Sequence, residues 1–272
     1  MIIISQPAFE QSVPAFRDSQ PNTFEAIRFH IETYLDYARK GLGVPKAFEE
    51  QHPALVEAYI YRSAAHEALP SLDLILTDSG FAVVSNQNLA PASRERVAAL
   101  RESLRQQASD ARDLLLIELC HDETWRETDQ CRTLRDSLLW CAMIARRYGL
   151  TATDGRELYA QEHGALYPAI LAATEACTQL ISAEQMQYLL SHQDDPDEIP
   201  EIKILTEHCR KYIAAAAKGN KSAQHLLGTQ IQRFINNNEE ALTAYRNSSQ
   251  YRANHTQRYE NKKEDPTFFF GY

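Results

Sequence analysis

The sequence predicts a mainly α fold, helical bundles carrying a single β-hairpin, and three observations predict it. Glycine is scarce, 9 of 272 residues, against a usual share of roughly 7%. That scarcity, in a chain rich in Ala, Leu, Glu, Gln and Arg, argues against a barrel, a sandwich or a nucleotide-binding α/β fold. Apolar residues recur three and four apart over long spans, the period of a helix with one buried face. Only the stretch from Leu72 to Ser85 gathers β-rich runs around a short turn.

Asn22-Thr-Phe-Glu25 after Pro21 has the form of a capping box, and it opens a helix expected to run to about Lys40. Gly41 and Gly43 supply its stop. A second helix is expected from Pro53 to about Leu69, where Pro70 blocks continuation. Leu72–Thr77 and Phe81–Ser85 then flank Asp78-Ser-Gly80 as a hairpin over about 72–85. An isolated two-stranded hairpin is marginal in water, so it needs its own helices or a neighbouring subunit to lie against. Ser93 caps a long helix over about 93–119, with Val97, Leu100, Leu104, Ala108, Ala111, Leu115 and Leu119 on one face. At about 1.5 Å per residue it extends roughly 40 Å, the length of a scaffold spine or an interface.

The second half reads as helices at about 129–148, 154–163, 167–190, 200–218 and 222–258, the last open to a break at Asn236-Asn-Asn238. Together the spans place roughly 60% of the chain in helix, about double the globular base rate. The acidic loop from His192 to Pro200 is the clearest linker. An internal repeat is suggested by Ala26-Ile27 beside Ala169-Ile170, and by Pro53 beside Pro200. The expected division is 1–124, 125–245 and an extended C-terminal arm at 246–272. That arm carries a local charge of +2, is otherwise polar, and ends in Phe268-Phe-Phe-Gly-Tyr272. Large aromatics at a polar terminus are the material of a docking anchor.

Composition narrows the function. The formal net charge is -9 with 28 Lys+Arg against 37 Asp+Glu, which counts against a protein that binds nucleic acid by neutralising phosphates. The N-terminus lacks the pattern of a signal peptide and no run approaches 18 apolar residues, so the expectation is a cytoplasmic chain without a membrane role. Five cysteines without a CxxC pair read as buried thiols. No nucleophile elbow, phosphate loop, dinucleotide fingerprint or zinc-protease helix is present. Glu118-Leu-Cys-His121 is a single ExxH triplet, whereas a di-iron bundle needs two with further glutamates. His121-Asp-Glu123 and Glu207-His208 have no nucleophile or orienting group assigned beside them. The expectation is therefore no catalytic residue, no cofactor and no metal.

The stretch Leu72 to Leu104, which opens Leu-Asp-Leu-Ile-Leu-Thr-Asp-Ser-Gly-Phe-Ala-Val-Val-Ser-Asn-Gln-Asn-Leu-Ala-Pro-Ala-Ser-Arg-Glu-Arg-Val, resembles uncharacterised structural proteins of Bacteroidetes phages and prophages. The order of two helices, hairpin and long helix also resembles the helical head–tail connector (adaptor) proteins of tailed phages. The first likeness covers about 35 residues and the second the first 120 or so; typical adaptors are much shorter than this chain. The resemblance implies a non-enzymatic virion protein of the neck, a homo-oligomeric ring below the portal, usually of twelve copies, made in the host cytoplasm. Its implied partners are further copies of itself, the portal protein and other neck or tail proteins, with DNA passing nearby unbound. In such a ring Leu74, Leu76, Phe81 and Val83 would form the oligomer interface by edge pairing. Phe268, Phe269, Phe270 and Tyr272 would form a docking tail. The alternatives are a helical assembly chaperone or scaffold-binding protein that leaves the particle, and a helical-bundle metalloenzyme around Glu118 and His121.

Overall fold

Helix follows helix along the chain because the apolar period of the sequence is 3.6 almost throughout, and the fold is mainly α. The computed structural model describes residues 2–17, 21–72, 75–77, 80–82, 94–193, 195 and 197–255. They fall into two compact units, Met1–Ile170 and Leu171–Tyr272.

The first unit opens with α1 (Gln6–Ser12), capped by Ser5, and a 3-10 turn at Pro14–Phe16. Then come α2 (Pro21–Lys40), α3 (Lys46–Gln51), α4 (Pro53–Leu72) and α5 (Arg94–Leu119). Helix α4 lies between α2 and α5 and is buried on most sides, with Val56, Tyr59, Ile60, Tyr61, Ala64 and Ala68 in the core. Its small residues let the flanking helices approach closely. Phe9 packs its ring on Phe16, Phe24 and Tyr61, closing one end of the bundle. Short helices α6 (Glu123–Arg126), α7 (Asp129–Leu134) and α8 (Ala142–Arg147) follow, and α9 (Ala160–Ile181) begins in this unit.

The second unit takes the end of α9 and continues with α10 (Ala183–His192), α11 (Pro200–Ala217), α12 (Lys221–Asn237), α13 (Thr243–Arg246) and α14 (Ser249–Asn254). Leu205, Cys209, Ile213, Ile231 and Ile235 form its core where α11 meets α12.

Several expectations need correction. Pro70 does not end α4, which runs on to Leu72. It sits in the last turn, where the missing N–H and the ring disturb only one carbonyl. The hairpin expected over 72–85 is not seen as such: Leu72 is helical, and the backbone pairing is a three-residue ladder of Ile75–Thr77 against Gly80–Ala82. The rest of that stretch lies outside the described residues. The expected helix over 129–148 is two short helices, because Ser137 bonds the Leu139 N–H and the chain turns to bury Leu138, Leu139 and Trp140. The helix expected over 167–190 is α9 and α10, separated at Ser182.

The division at 124/125 is also displaced. Trp125 is fully buried in the first unit and its indole N–H donates to the Leu42 carbonyl at 2.8 Å. Residues 138–163 cover α5, so the first unit extends to Ile170. The acidic loop expected as a linker lies inside the second unit, where Tyr188 donates to Glu198 at 2.8 Å.

Two short stretches of the chain recur in pattern. At the end of α2, Ile31, Leu35, Ala38 and Leu42 are buried, and Gly43 follows with φ +71°. At the end of α9, Ile170, Thr174, Cys177 and Ile181 are buried at the same spacing, and Ser182 follows with φ +79°. Ile170 thus corresponds to Ile31, not to Ile27 as the Ala-Ile pairs suggest. Further on, Trp125-Arg126-Glu127-Thr128-Asp129-Gln130-Cys131-Arg132 matches Tyr245-Arg246-Asn247-Ser248-Ser249-Gln250-Tyr251-Arg252. Thr128 Oγ1 accepts from the Cys131 N–H at 3.2 Å, and Ser248 Oγ from that of Tyr251 at 3.0 Å. Arg132 donates to the Glu127 carbonyl, and Arg252 to that of Asn247. In the first unit Trp125 and Gln130 bring this segment back to the turn after α2, whereas in the second the Tyr245 N–H donates to Gln185 Oε1 on α10. Gln130 packs on Gly43, while Gln250 donates to the Gln179 carbonyl. The second unit lacks a counterpart to the segment 73–93, since α11 and α12 are joined by three residues, 218–220.

Candidate interaction surfaces

The residues singled out from the sequence for contact with partners fall where the structure gives only backbone or nothing. Leu76 pairs with Phe81 in the ladder, but their side chains, and all of Leu74 and Val83, lie outside the described residues. So do Phe268, Phe269, Phe270 and Tyr272.

The Glu118–His121 triplet does not form a helical metal face, because α5 ends at Leu119 and His121 sits in the turn beyond it. Glu118 instead lies 3.9 Å from the ring of His52. Among the described residues there is no group of three potential metal-binding side chains. The five cysteines are reduced and buried. Burial pushes the Cys141 thiol well above its ordinary value, so it is not a ready nucleophile.

The densest charge cluster lies in the first unit, between α4, α5 and the start of α9. Arg105 donates to Glu102 at 2.8 Å and to Glu162 at 2.9 Å, and its guanidinium also lies over the Tyr159 ring. The Arg105 hydrogen bond holds the Glu102 carboxyl down to about 2. His66, beside them, is lowered by burial first and then by Arg101 and Arg105, which favours its neutral form. Deeper on the same helix, Asp113 is fully buried, with its carboxylate accepting the Met143 N–H at 2.8 Å. Burial raises its pKa, and the neighbouring Arg112 opposes that rise. Arg146 bonds Asp110 at 2.5 Å and covers the Tyr159 ring. Each acid in this network faces a cation or a backbone donor. The cluster fastens residues 138–163 onto α5; it presents no nucleophile beside a base.

Among the described residues, large apolar side chains stay exposed at several places, Ile3, Leu114 and Ile204 among them. On α2, Phe29 is 72% exposed and Tyr37 49%. In the second unit a groove of about 610 Å3 runs between Leu180, Tyr212 and the Gln224–Gln232 face of α12. Gln224 donates to the Tyr212 hydroxyl at 2.9 Å and Gln232 to the Leu180 carbonyl at 2.6 Å, fixing its floor. Sequence reading missed this groove, because the periodicity of α12 marks a buried face without showing that a second face stays uncovered.

No helix among the described residues is long and apolar enough to cross a membrane. No curated protein and no solved structure matches the chain. A model described as a family of unknown function (DUF6712) matches residues 32–135, which run from within α2 to the residue after α7, less than half of the chain.

Proposed function

We propose that the protein is a structural component of a phage particle, a head–tail connector subunit that assembles into a homo-oligomeric ring. The observation that carries this reading is the resemblance of Leu72–Leu104 to phage structural proteins, a segment that runs from the last residue of α4 into α5. A two-stranded ladder among the described residues leaves an outer edge on each strand, and unpaired edges are where another chain adds. Leu74, Leu76, Phe81 and Val83 belong to this contact element. The aromatic run Phe268–Tyr272 is a second contact element, on whichever surface receives it. The saturated ion pairs around Arg105, and the lack of a catalytic arrangement in the described residues, agree with a structural role. The chain is then two diverged modules of one kind, of which only the first carries the contact segment.

Mass by light scattering, alone and after co-expression with portal and neck proteins, tests the ring. A closed oligomer supports the reading, and a monodisperse monomer that never joins those proteins overturns it. Mass spectrometry of purified virions separates a connector, which stays in the particle, from an assembly chaperone, which leaves.

A further inference from the structure

The ion pairs around Arg105 also line a cleft between α4, α5 and the start of α9. It has two lobes, which share His66, Arg105 and Gln161. One, of about 430 Å3, is mostly polar and adds Arg101 and Arg156 to the wall. The other, of about 260 Å3, is mostly apolar and is walled by Tyr34, Tyr59 and Ala108. Together they fall in the range of small-molecule sites, roughly 300–1,000 Å3.

The acids of this wall are largely committed, and the donors are not. Glu102 and Glu162 both accept from Arg105, while Glu67 is exposed. Arg101 has no ion-pair partner among the described residues, yet it exerts the largest charge effect on the His66 ring. Tyr59 and Ser63, on the α4 wall, are 3% and 5% exposed. Neither hydroxyl has a hydrogen-bond partner among the described residues. Buried polar groups are as a rule paired, so two open hydroxyls in one wall mark a place that a ligand's acceptor completes. The matching face is open in the second unit as well. Counted from the motifs at 125 and 245, Arg101, Ala108 and Ser109 stand at the places of Lys221, Gly228 and Thr229, which line the groove there. A cation, a small residue and a hydroxyl recur, but His225 and Gln232 stand where the first unit has Arg105 and Arg112.

We propose that the cleft of the first unit binds an organic anion. Its carboxylate or phosphate head meets Arg101, whose planar fork of donors suits either group. Its apolar body, bearing an acceptor, lies against Tyr59 and Ser63. The site does not depend on ring formation. Calorimetric titration of the full chain with para-nitrobenzoate and with para-nitrophenyl phosphate gives the test, and the tighter binder names the head. Para-nitrobenzamide has the same shape without the charge, and it is expected to bind about tenfold more weakly. Arg101 is exposed, so Arg101→Ala leaves the fold intact; it is expected to weaken both anions about tenfold. Lys221→Ala, at the matching place in the second unit, is expected to change nothing. The proposal is overturned by no saturable binding of either anion, by equal binding of the amide, or by losses in Lys221→Ala rather than in Arg101→Ala.

Discussion

Trp125 shows how one side chain fixes the architecture of a unit. Its ring fills the core while its N–H satisfies the carbonyl of Leu42, on the turn that ends α2. Phenylalanine keeps most of the packing and leaves that carbonyl unpaired in a buried place. Trp125→Phe is therefore expected to cost about 1–3 kcal/mol in urea unfolding, and a change within error would show that the bond carries little. Ser182 gives the opposite case. Its φ of +79° and ψ of 156° lie in a region that only glycine adopts freely, a strain of about 1–3 kcal/mol. Its hydroxyl offsets part of this by capping α10 at the Gln185 N–H. Glycine in its place keeps most of a cap's value and relieves the strain, at a backbone entropy cost of about 0.5–1 kcal/mol. Ser182→Gly is expected to raise stability by up to about 1 kcal/mol, and a loss of stability rejects the argument.

At the scale of elements, the segment after α7 is fastened by polar contacts, of which His163 on α9 supplies one. Its ring lies 2.8 Å from the Leu139 carbonyl, and burial lowers its pKa below the usual value of about 6.5. The unfolded chain therefore binds the proton more readily. The stability tied to neutral His163 is complete above pH 6.5 and is lost as pH falls through 6.5 toward the lower folded value. Between pH 7.5 and 5 the urea midpoint of the wild type should fall more than that of His163→Gln; equal falls would remove His163 from the account. The long helices were legible in the sequence because their apolar residues keep one period over about four turns, as α5 does from Leu104 to Leu119. The run at 135–141 was not legible. Leu138, Leu139, Trp140 and Cys141 are a short apolar stretch that reads as helix, and a buried loop gives the same composition.

For the whole molecule, the acidic balance and the apolar period bear on different things. The net charge of -9 governs solubility and partner choice and says nothing of topology. The expected break at 124/125 failed because Trp125 follows α5 directly in sequence and yet packs back on residues far upstream. Composition does not change at a boundary of that kind. The repeat was only hinted at in sequence, since few identities survive outside the motif at 125–132 and 245–252. Burial and backbone conformation preserve it where residue identity does not. Gly43 and Ser182 both have a positive φ, although one is glycine and the other is not.

The sequence by itself determined the helical class, the places of the long helices and the absence of a recognisable catalytic motif, because these rest on local period and on residue type. Tertiary structure alone decided where the two units part, that Trp125 closes the first of them on the turn after α2, and that one face of α12 is left open. Those outcomes depend on which distant residues meet. An apolar period states that a face is buried, but not what buries it.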